Sequence, residues 1–164
     1  MKFTGTVPIV TKPIPSIEGA LKLDPRFDNG HWSFPEQMGN GVGFIYVIYD
    51  TVLQRAYLGK KNFRSMRGKN VGKESDWRRY LSSSKLLAEM MQERPKKEFE
   101  FICIEQYKTK GTLSYSETWS LCLVEAPTSV RWYNNLIEKV SWNVKEPITD
   151  RHKQRLNEII ERMK

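Results

Sequence analysis

Cysteine is scarce. Cys103 and Cys122 are the only two in 164 residues, too few for a disulfide framework or a structural zinc site. Both sit among apolar neighbours and are expected to be small core residues. Histidine is equally sparse: His31 and His152 have no Cys or His at metal-ligand spacing and receive no catalytic assignment. No apolar run approaches the ~18 residues of a membrane-crossing helix. Met1-Lys2-Phe3 opens no secretory-type segment, so the expected compartment is the cytoplasm, with no membrane partner. A phosphate-cradling Gly-rich loop and a nucleophile elbow are both lacking, which argues against nucleotide and serine hydrolases.

Acidic residues are in deficit: 27 Lys+Arg against 19 Asp+Glu leave a formal charge of +8. With 39% hydrophobic and 12% aromatic residues the chain can still bury a core, which excludes wholesale disorder. The surplus is concentrated. Lys60, Lys61, Arg64, Arg67, Lys69, Lys73, Arg78 and Arg79 face only Glu74 and Asp76 across twenty residues. Interrupted by Gly68 and Gly72, this reads as a basic loop able to follow a phosphate backbone, or as a loop kept polar for solubility. It has no amphipathic apolar face for a membrane surface.

Three segments are expected. Residues 1–40 hold five of the eight prolines and read as an extended arm, with Phe27, Trp32 and Phe34 docking on the domain or a partner. Through this arm the chain could also self-associate. Residues 41–140 form the domain and 141–164 a terminal helix. Phe44–Tyr49 is apolar on both alternating faces, as in a central strand, and Ala56–Gly59 pairs with it as a hairpin. A short helix capped by Ser75 or Asp76 carries Trp77 and Tyr80. A second runs from Ser84 to Pro95, burying Leu86, Leu87, Met90 and Met91. A third strand spans Phe99–Tyr107, a helix follows over Thr112–Glu125, and a last helix after Thr149 carries Leu156, Ile159, Ile160 and Met163 at helical spacing. The fold class is α+β, a small three-stranded antiparallel sheet flanked by helices.

Tyr46 and Tyr57 fall on adjacent strands and can project from one face toward a shared ligand, or serve as ordinary strand residues. A phenol titrates near ~10, so it needs Lys60, Lys61 or a metal ion to favour its ionised form. Glu117 lies on an apolar helical stripe with Leu113, Leu121 and Val124, where a carboxylate demands a partner. Alternatively, Ser114-Tyr115-Ser116-Glu117 is a capping box. Asn134 could orient a water, phosphate or metal-bound carboxylate, or simply form a turn with Asn135.

Together these residues resemble the GIY-YIG nuclease superfamily. Phe44-Ile45-Tyr46 stands at the first tripeptide and Tyr57-Leu58-Gly59 at the second. Glu117 stands at the metal-binding glutamate, and Tyr133-Asn134 at the closing element. Glu74–Tyr80, Ser82-Ser83-Ser84 and Tyr57–Lys61 look like phage Seg-type homing endonucleases, which would place the chain in a host cell's cytoplasm.

The resemblance implies a metal-dependent DNA endonuclease. Tyr46 would activate water, Tyr57 would position it, Glu117 would hold Mg²⁺ or Mn²⁺, and Asn134 would support them. Asp76 stands where the family has an arginine, leaving Lys61, Arg78 or Arg79 to meet the phosphate. Lys60, Lys61, Arg64, Arg67, Lys69 and Lys73 would bind the nucleic acid, DNA first and RNA as an alternative. The other reading is an inactive nuclease-fold module that grips nucleic acid or a protein.

Overall fold

The computed structural model describes residues 23–135 and 146–164. Most of the arm's prolines and the boundary near residue 140 lie outside them.

Strand β1 (Gly43–Asp50) is buried at every position, as its two-faced apolar run demands. It is the middle of an antiparallel sheet of order β2-β1-β3, between β2 (Arg55–Asn62) and β3 (Phe99–Tyr107). Alternation divides its side chains between two cores. Ile45, Val47 and Tyr49 pack with Ala56, Leu58 and the flanking helices, whereas Phe44, Tyr46 and Ile48 join Trp32, Phe34, Phe63 and Trp77. Trp32 and Phe34 thus dock as expected, while Phe27 is half-buried. Ser33 lies along the free edge of β3, exchanging bonds of 2.8 and 3.1 Å with Phe101 and Cys103, so that edge is covered.

Helix α1 (Lys85–Glu93) starts where Ser84 Oγ accepts the Leu87 amide. Leu87 is fully buried and Met90 and Met91 are half-buried, but Leu86 is 49% exposed, so the buried stripe is narrower than expected. The expected helix at Ser75 is a single 3₁₀ turn, Trp77–Arg79. Asp76 does not cap it, because its carboxylate is taken by Lys61. Helix α2 (Lys110–Leu123) begins two residues earlier than expected, since Thr109 Oγ1 accepts the Thr112 amide. Ser114 is therefore inside the helix and caps nothing. Cys103 is buried as expected, but Cys122 near the end of α2 is exposed. Helix α3 (Asp150–Arg162), capped by Thr149, lays Leu156 and Ile159 against β3, with Met163 just past its end completing the buried face.

Candidate active site

The β1–β2 register sets Tyr46 directly opposite Gly59. Tyr57, two residues from that glycine, projects from the same face, and the two ring centroids stand 6.2 Å apart. Gly59 is what lets them converge: a methyl group there would lie 2.6 Å from the Tyr46 hydroxyl oxygen and 3.1 Å from the Tyr57 ring. Tyr80, which sequence reasoning assigned only to a helix face, completes the cluster edge-on to Tyr46 at 6.1 Å. The chain then turns at Ser82, whose φ of 122° is unusual for a residue with a side chain. This turn directs the Ser82 hydroxyl to Tyr46 and brings Ser83 Oγ within 3.2 Å of the Tyr57 hydroxyl.

Tyr46 is 1% exposed, and burial pushes its phenol well above its ordinary range. The charges of Tyr57, Tyr80 and Glu117 push the same way, opposed by the Ser82 bond. The expected lowering by Lys60 or Lys61 is not what these contacts produce. Each ammonium is already matched by a carboxylate: Lys60 by Glu117, and Lys61 by Asp76 at 2.6 Å. Lys61 also lies 3.7 Å above the Tyr80 ring, and its hydrogen bond holds the Asp76 carboxyl below its usual range.

Glu117 approaches from the other face of the sheet. Lys60 alternates with Gly59 and Lys61 along β2, so it points toward α2, where its Nζ donates to Glu117 Oε2. The site thus wraps around the outer edge of β2 at Gly59, tyrosines on one side and carboxylate on the other. Asn134 clasps the same strand: its Oδ1 accepts the Leu58 amide at 2.9 Å and its Nδ2 donates to the Leu58 carbonyl at 2.7 Å. Both ends of this carboxamide are engaged with backbone. Next to it, Tyr133 donates its hydroxyl to Asp50 at 2.9 Å.

The basic residues separate. Arg78 is turned away toward Glu74 and Asp28 and stacks on Trp77. Arg79 is exposed and makes no side-chain bond among the described residues, though its charge reaches Asp76. Arg64, Arg67, Lys69 and Lys73 are all exposed. A cleft of about 670 Å³ opens beside the site, lined by Lys60, Lys61, Arg64 and Arg67 among others. Lys110, at the start of α2, joins that lining. Sequence reading missed it, because it stands far beyond the basic stretch and only the packing of α2 on β2 brings it back.

Two phenols meet over a strand glycine, with a helix glutamate around the strand edge, the arrangement implied by the resemblance to the GIY-YIG nuclease superfamily. The chain belongs to its SegE branch: the family model described as "Putative endonuclease segE, GIY-YIG domain" matches residues 28–137, about two thirds of the sequence. No curated protein and no solved structure matches it. A nuclease domain implies nucleic-acid binding, and GIY-YIG nucleases generally use divalent metals. Among the described residues no three His, Cys, Asp or Glu side chains cluster to cage an ion. A Mg²⁺-type ion that keeps most of its water needs only one or two carboxylates. Glu117 fits that demand, since its carboxylate is partly exposed, and an ion bound there would displace its Lys60 partner.

Proposed function

We propose that this protein is a metal-dependent DNA endonuclease of the phage homing type that hydrolyses phosphodiester bonds. The observation that carries the proposal is the convergence of Tyr46, Tyr57 and Glu117 around Gly59 beside a basic cleft. Glu117 would hold Mg²⁺ or Mn²⁺, which supplies Lewis-acid charge at the leaving oxygen. Tyr46 would first give up its own phenolic proton to solvent and then, as the phenolate, take the proton of the attacking water, while Tyr57, braced by Ser83, orients that water. Lys61 lies two residues beyond Gly59 on the tyrosine face. It exchanges Asp76 for a phosphate oxygen, with Arg79 as the second cation. Asn134 is a positioning residue that fixes Leu58 and hence the strand between Tyr57 and Gly59.

The test is cleavage of supercoiled plasmid with Mg²⁺ or Mn²⁺. Glu117→Gln and Tyr46→Phe are each expected to slow nicking by about 100-fold or more. Equal rates for wild type and both variants would remove the proposal. One observation favours the alternative of a binding module: Glu117, Lys60, Lys61 and Asp76 are mutually neutralised. That alternative predicts salt-sensitive DNA binding by wild type without cleavage, unchanged in both variants.

A further inference from the structure

Beyond β2 the chain forms a second, smaller hairpin. Arg64 and Glu74 bridge its base, Ser65 and Lys73 are bonded at 2.8 Å, Gly72 bonds back to Ser65 at 2.9 Å, and a 3₁₀ turn, Gly68–Asn70, forms its tip. Every residue from 66 to 74 is exposed, so no apolar core holds this ribbon in shape. Backbone bonds hold it, aided by Arg64 Nη1, which donates to the Gly72 carbonyl at 2.9 Å. Gly68 and Gly72 sit at φ of 70° and 80° with open space around them, so glycine is needed there for the turn and not for packing. Ordering a chain costs entropy. An ordered ribbon that buries nothing is explained by what it displays: Arg67, Lys69 and Lys73, with Met66 41% and Val71 62% exposed. Of these, Met66 and Arg67, with Asn70, line the cleft that leads to Lys60 and Lys61.

We propose that this hairpin is a sequence-reading ribbon that enters the DNA major groove beside the cut. Arg67 and Asn70 meet base edges, and Lys69 and Lys73 hold phosphates. The proposal rests on the nuclease reading above. A loop of two antiparallel chain segments closed by one bridge is narrow enough for the ~12 Å wide B-form major groove, whereas the deep, narrow major groove of A-form RNA does not admit side chains. Arginine forks onto guanine, asparagine pairs with adenine, and an exposed apolar group such as Met66 suits the thymine methyl.

The experiment uses the full chain with chelator present, selecting from a random-sequence duplex DNA library, alongside wild-type plasmid cleavage in Mn²⁺. Wild type is expected to enrich a short motif. Arg67→Lys keeps the charge without the fork, and Asn70→Ala removes the amide; each is expected to lose roughly tenfold discrimination at one or two base positions. If both variants enrich the wild-type motif at full strength, or wild type shows no preference, the ribbon reading is overturned. Wild-type cleavage would then leave the nuclease reading standing. Preference for A-form RNA duplex over DNA also overturns it, and failure of wild type both to bind and to cut duplex DNA overturns both readings.

Discussion

A methyl group at position 59 would stand 2.6 Å from the Tyr46 hydroxyl oxygen and 2.7 Å from the ring carbon that bears it, closer than real side-chain contacts come. Gly59→Ala must therefore push the Tyr46 ring out of a fully packed core. Destabilisation of about 1–3 kcal/mol is expected, read as a lowered thermal midpoint, together with loss of cleavage. An unchanged midpoint would mean that Tyr46 has room the packing denies it. Asn134→Ala strips both partners from the buried Leu58 backbone, and each orphaned group costs about 1–3 kcal/mol. Asn134→Asp keeps an acceptor for the Leu58 amide but sets a carboxylate oxygen against the Leu58 carbonyl, so urea unfolding should show it destabilised as well. The tyrosine pair was legible in the sequence, because period-two alternation on neighbouring strands fixes which residues share a face. The carboxamide's partner lies 76 residues away and Glu117's lies 57 away, distances that no local pattern encodes.

Helix α3 is pinned to the sheet by a buried imidazole. His152 lies between the Tyr107 hydroxyl, 3.0 Å from Nδ1, and Ser120 Oγ, 2.6 Å from Nε2. Ser120 donates its own proton to the Ser116 carbonyl, so it accepts from Nε2–H, and Nδ1 accepts from Tyr107. The ring is thus satisfied only when neutral, and burial pulls its pKa down to about 3. The unfolded chain takes up that proton near ~6.5. Stability from His152 is accordingly complete above that value and is lost as pH falls toward 3. His31, lowered to about 4 by burial, acts in the same direction. Urea midpoints are expected to fall between pH 7 and pH 4.5, and less steeply for His152→Gln; parallel slopes would contradict this assignment. β1 with its continuous apolar run, and β3 and α3 with their periodic ones, were legible from their sequences. The extension of β2 through Lys60-Lys61-Asn62 was not, because an edge strand pairs on one side only and tolerates charged residues that carry no strand signal.

Across the whole molecule the charge is placed unevenly. On β2 the lysines are paired, whereas the hairpin beyond it holds Arg67, Lys69 and Lys73 out in solvent. On the side of the sheet away from β2, α3 packs on β3, and there Lys153 lies beside Asp150 at 3.6 Å. Cations that displace counterions from a duplex set the salt dependence of binding, each contributing about 0.9 to the log–log slope. Removing Lys69 and Lys73 together is expected to flatten that slope by about two and to weaken binding equally on all sequences. Lys153→Ala removes a charge from that far side and is expected to leave the slope as it was. Fluorescence anisotropy on one duplex across a salt series, with chelator present, separates the two cases. Equal slopes for the double variant and wild type would mean that the duplex does not lie along the hairpin. The net charge would then act only as a diffuse field, which Lys153 would share in proportion.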